Sequence, residues 1–92
     1  MAHHSALHLY ISGRVQGVGY RHATYTTARK LGLNGWVRNL PDGRVEALLE
    51  GSKELQEQMV TWCYTGPAFA QVSDIEIIRE SLEKPSDPFF IR

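Results

Sequence analysis

At 92 residues the chain has room for one small domain, and its 42% hydrophobic and 22% charged residues are ordinary for a soluble globular protein. Ten basic and ten acidic side chains cancel, which removes the basic excess that nonspecific nucleic-acid binding needs. A single cysteine, Cys63, excludes an intramolecular disulfide; no apolar run approaches the roughly 18 residues of a membrane span and no signal segment opens the chain, so the expected location is the cytoplasm.

Residues 1–6, with His3 and His4 adjacent, read as a flexible tail, leaving 7–92 as the domain. Two histidines without further ligands do not make a metal site. Leu7, Leu9 and Ile11 alternate with His8, Tyr10 and Ser12, the period of a half-buried strand. After a glycine-rich stretch, Thr24, Thr27, Ala28 and Leu31 recur at helical spacing, and Gly32 supplies a stop. Residues 35–40 and 45–49 flank Pro41-Asp42-Gly43, which predicts a hairpin. Ser52 is a good N-cap for a second helix whose apolar face is Leu55, Met59, Trp62 and Cys63. Ile75 and Ile77 alternate with acids in a further strand. Val72 is out of phase with them, so a bulge or off-register start is expected there. After a Pro-rich loop, residues 89–91 have room for a short last strand.

The order strand, helix, strand, strand, helix, strand is βαββαβ. It predicts an α+β, ferredoxin-like sandwich with two helices on one face of a four-stranded, mainly antiparallel sheet. That architecture hosts many functions, so chemistry must be argued from particular residues.

The stretch Gly13-Arg14-Val15-Gln16-Gly17-Val18-Gly19-Tyr20-Arg21 joins the first strand to the first helix. Glycines let backbone N–H groups converge on an anion, and a helix start adds partial positive charge. Arg21 opposes that dipole unless an anion is bound beside it. The loop lacks the lysine of Walker A and breaks the dinucleotide pattern, because Gly17-x-Gly19 is followed by His22. It is therefore a different phosphate cradle. On the hairpin, Asn39 ends a strand just before the turn. Its amide both donates and accepts, so it suits orienting a water, although turn chemistry also favours asparagine there. Arg14 and Arg38 read chiefly as solvent-facing or salt-bridge residues. His22, about 100° around the helix from Arg21, reads as a bystander.

Residues 13–21, together with Gly35-Trp36-Val37-Arg38-Asn39, Gly43-x-Val45 and Gly51, closely resemble the two signature motifs of the acylphosphatase family, and the likeness runs from about Leu7 to Arg92. The resemblance implies a metal-free, cofactor-free hydrolase that cleaves the carboxyl–phosphate bond of acyl phosphates. The family's phosphate-binding arginine falls on Arg21 and its water-orienting asparagine on Asn39. Its phosphate loop falls on Val15, Gln16, Gly17, Val18, Gly19 and Tyr20, where Tyr20 replaces a frequent phenylalanine. The implied ligands are a small acyl phosphate, with inorganic phosphate or sulfate as competing anions. No nucleic-acid or membrane partner is implied, and a monomer is expected. The competing reading is a non-catalytic module that binds an anion, or RNA through Tyr10 and Trp36 on the sheet; the RNP1 pattern is absent. A relative of the acylphosphatase-like domain in larger carbamoyl-transfer proteins is disfavoured because no zinc-finger cysteines follow.

Overall fold

The computed structural model describes residues 4–92. Its elements run β1 (His4–Arg14), α1 (Tyr20–Leu31), β2 (Asn34–Asn39), β3 (Val45–Glu50), α2 (Lys53–Thr65), β4 (Gln71–Leu82) and β5 (Phe90–Ile91). Residues 4–6, expected in the tail, are instead strand. Opposite them on β4 lie Leu82, Ser81 and Glu80. Ala6 is fully buried and His4 reaches Glu50 at 3.0 Å, which gives this end of β1 a reason to stay ordered. The rest of that expectation, on residues 1–3, lies outside the described residues.

The strands form one sheet in the order β4-β1-β3-β2-β5. Every pairing is antiparallel except β2 with β5, where Trp36 and Val37 run parallel to Phe90 and Ile91. The predicted four-stranded sheet thus gains a fifth, two-residue strand on its β2 edge. Strand alternation puts Leu7, Leu9, Ile11, Val37, Val45, Ala47 and Leu49 on one face. Tyr20 and Ala28 from α1 and Met59 and Cys63 from α2 pack against it in a single core. Fully buried side chains such as Leu9 and Ile11 each contribute about 1.5–3 kcal/mol by leaving water. Trp62 packs at the edge of the same core, so Met59, Trp62 and Cys63 are structural.

Local chemistry ends the helices where the sequence predicts. Gly32 caps α1 in the left-handed region, and the N–H of Leu33 reaches back to the Ala28 carbonyl at 3.0 Å. The Ser52 hydroxyl accepts from the Leu55 N–H at 3.3 Å to open α2. Gln56 joins the buried face of α2 unannounced. Its amide donates to the carbonyls of Ser5 and Leu49, each at 3.1 Å.

The irregularity expected near Val72 is present. The β1–β4 register slips between Ser12, opposite Asp74, and Gly13, opposite Val72. Such a bulge bends and re-aims its strand, and here it lies where β1 leaves the sheet for the glycine loop.

The other sheet face holds a charge cluster. Glu46 is almost fully buried, and it accepts from Arg38 Nε at 2.5 Å and faces His8 Nε2 at 2.6 Å. His8 Nδ1 meets Glu80 at 2.5 Å. A carboxylate this deep is tolerable only when paired. The pairing also gives Arg38 the salt-bridge role that its sequence context suggested.

Candidate active site

Three stretches distant in sequence converge on one cleft of about 270 Å³. Val15, Gln16, Gly17, Gly19, Tyr20, Arg21 and His22 line one part of it, Asn39 another, and Ile91 a third. The loop owes its shape to glycine: Gly17 and Gly19 have φ of 76° and 80°, a region L side chains rarely occupy. Gly19 is also the N-cap of α1 and offers no side chain to the helix start. The first intrahelical bond runs from the Ala23 N–H to the Gly19 carbonyl at 3.0 Å, so the amides before it have no helical partner. No acid occupies the first turn. Among the described residues, Arg21 is exposed and makes no ion pair. An uncapped helix start carrying a free guanidinium is arranged for an anion.

Asn39 ends β2 opposite Val45. Its Oδ1 is buried and has no hydrogen-bond partner in the protein, the only such side-chain atom among the described residues. Buried acceptors are rarely left this way, and one in a cleft is available to a donor that enters it.

Tyr20 is buried, and its hydroxyl donates to the Cys63 carbonyl at 2.6 Å. Burial, reinforced by that neighbourhood, pushes its pKa far above the ordinary tyrosine value. The ring therefore walls the cleft while the hydroxyl ties the start of α1 to α2. The Cys63 thiol is pushed up to about 12, chiefly by burial, and stays protonated and unreactive.

The sequence-predicted site residues come together with one exception. Val18 does not line the cleft and instead packs against the core. Two lining residues were not anticipated as such. His22, in the first turn of α1, lines the cleft together with its neighbour Arg21. Ile91 arrives through β5. The only signal for it was the apolar character of the last segment, which does not reveal its pairing with Val37.

The aromatic residues considered for RNA binding are engaged within the protein. Tyr10 stacks on His8 at 4.8 Å and lies under Arg44 at 5.0 Å. Trp36 has Arg92 at 4.6 Å and Arg38 at 5.6 Å from its ring centre.

A family model described as Acylphosphatase matches residues 7–91. The chain belongs to the acylphosphatase family. It is 54% identical over 77 residues to the acylphosphatase of Trichormus variabilis, a match covering 84% of this chain and 76% of that protein. The crystal structure of acylphosphatase from Bacillus subtilis superposes with a TM-score of 0.90 at 38% identity, covering 96% of this chain and 98% of that one. An acylphosphatase structure from Coxiella burnetii gives 0.88 at 34% identity, with 98% and 94% covered. The family membership makes this chain an enzyme and does not favour the reading as a non-catalytic binding module.

Proposed function

We propose that Arg21 and the backbone N–H groups of residues 15–17, 19 and 20 bind the phosphoryl group of an acyl phosphate, and that Asn39 holds the water that attacks it. The activity is the family's: hydrolysis of the carboxyl–phosphate bond to a carboxylate and inorganic phosphate. What supports these roles above all is the unpartnered Asn39 Oδ1 in the same cleft as the unpaired Arg21.

Arg21 offers a planar fork to two phosphoryl oxygens, and the loop amides and helix start take up the remaining charge. The water donates one hydrogen bond to Asn39 Oδ1, which aims its oxygen at phosphorus. As that oxygen bonds to phosphorus, the bond to the acyl oxygen breaks and the carboxylate leaves with the electron pair. A phosphoryl oxygen of the substrate accepts the water's proton. Because the carboxylate is a good leaving group, positioning and charge neutralisation supply the catalysis.

Among the described residues, no group of three or more His, Cys, Asp or Glu side chains is placed to hold a metal ion. Benzoyl phosphate should therefore be hydrolysed at full rate in EDTA. Inorganic phosphate and sulfate should compete with it, and both should bind the Arg21→Ala protein more weakly. Loss of activity in EDTA with recovery on adding magnesium or zinc would overturn the mechanism. Among the described residues no helix is long and apolar enough to cross a membrane. We place the enzyme in the cytoplasm as a monomer, which gel filtration at the 10.4 kDa position would support.

A further inference from the structure

Gln16 belongs to the glycine loop, but its side chain leaves it. Its Nε2 donates to the Leu40 carbonyl at 2.8 Å and to the Arg44 carbonyl at 2.9 Å. Those carbonyls close the β2–β3 hairpin. Leu40 N–H donates to Arg44 at 2.8 Å, and Gly43 N–H donates to Leu40 at 3.2 Å. Each carbonyl thus already has a hairpin partner and gives Gln16 its second lone pair, so the hairpin does not depend on the amide. Asn39 immediately precedes Leu40.

The strands that carry the two halves of the site are not neighbours, because β3 separates β1 from β2. Among the described residues, no other hydrogen bond joins residues 15–19 to residues 39–44. Apart from their own chain neighbours, Gly17 and Gly19 have no protein atom within 4 Å of where a side chain would begin. The Gln16 amide is the direct bond across the gap.

We propose that Gln16 is a positioning residue for the hydrolysis. Its amide sets the loop, and the phosphoryl group on it, at a fixed distance from the water on Asn39. This rests on the roles given above to Arg21, the loop and Asn39. A misplacement of about 1 Å between reacting groups can cost about 100-fold in rate. Both hydrogens of the Gln16 side-chain amide are committed to the hairpin carbonyls and not to the anion, so its loss acts on turnover more than on anion binding.

Gln16→Met keeps the length of the side chain and removes the donor, and Gln16→Leu repeats the test with a different shape. With kcat taken per phosphate-titrated site, either variant should lose about tenfold in kcat, while the inhibition constant of inorganic phosphate changes by less than about threefold. In an Asn39→Ala background the same change should lower kcat by less than about twofold, because the group it positions is gone. Equal losses in both backgrounds, or a loss of phosphate affinity matching the loss of kcat, would overturn the tether. A fully active Asn39→Ala protein would instead remove the water-holding role beneath it. An impaired Asn39→Ala with a fully active Gln16→Met would remove the tether alone.

Discussion

Asn39→Ala separates a residue kept for chemistry from one kept for a turn. The side chain ends β2, where asparagine often stabilises turns, yet its Oδ1 has no partner in the protein. A net hydrogen bond to the turn would be worth about 0.5–1.5 kcal/mol, and in a domain of this size about 1 kcal/mol moves Tm by about 4–8 °C. Since Oδ1 makes no such bond, truncation should leave Tm within about 4 °C of the parent. The catalytic cost should be far larger: a loss of about 10²-fold or more in kcat, or about 2.7 kcal/mol of transition-state stabilisation. Phosphate affinity should hardly change, because Arg21 and the loop remain. Thermal unfolding followed by circular dichroism, benzoyl phosphate turnover and competitive inhibition by phosphate read the three quantities. A variant that melts several degrees lower and keeps its kcat would refute the reasoning and make Asn39 a turn residue.

Arg21→Ala should abolish turnover and weaken phosphate binding, read by calorimetry, without lowering Tm, since a first-turn cation opposes the helix dipole by about 0.3–1 kcal/mol. Arg21→Lys should rescue poorly for want of the bidentate fork, and unaltered phosphate binding by Arg21→Ala would place the anion elsewhere. Burial alone would raise the Glu46 carboxyl, but the bonds from Arg38 and His8 outweigh it and hold it below its ordinary 4.5. That stabilisation is complete above pH 4.5 and is lost as pH falls through the depressed folded-state value, so Glu46→Gln should flatten the acid limb of urea midpoints. An unchanged acid limb would count against it. A Cβ at Gly35, where φ is 129°, would run into the Leu48 carbonyl oxygen. Gly35→Ala should therefore cost about 1–3 kcal/mol, and an unaltered Tm would contradict that packing.

Much of this was legible because local chemistry carried it. Alternation in residues 7–11, Ser52 before an apolar helical face and Asp42-Gly43 between two strands each specify a piece of structure nearly alone. Arg21 stands out in the sequence through a conflict, a cation in a first helical turn that disfavours one, and the structure places it on the cleft without an ion-pair partner among the described residues. What escaped depends on partners far along the chain. His4 begins a strand because Glu50 and β4 receive it, and nothing within residues 1–6 says so. Gln56 reads as surface, yet carbonyls from β1 and β3 satisfy it in the interior. Ile91 reaches the cleft only through a two-residue pairing with β2. Gln16 read as a loop residue, while its side chain binds a hairpin 24 positions away.

The cleft draws on residues 15–17, 19–22, 39 and 91, and the sheet interleaves the first, third and second strands in space. No fragment shorter than residues 15–91 contains the whole site. Folding this topology means closing long loops before their contacts form, which is slow and leaves little advantage to halfway states. Catalysis is thus a stringent census of the native population. During refolding, hydrolysis should return only as fast as the slowest long-range pairing, so enzyme assays time the completion of the fold rather than its collapse.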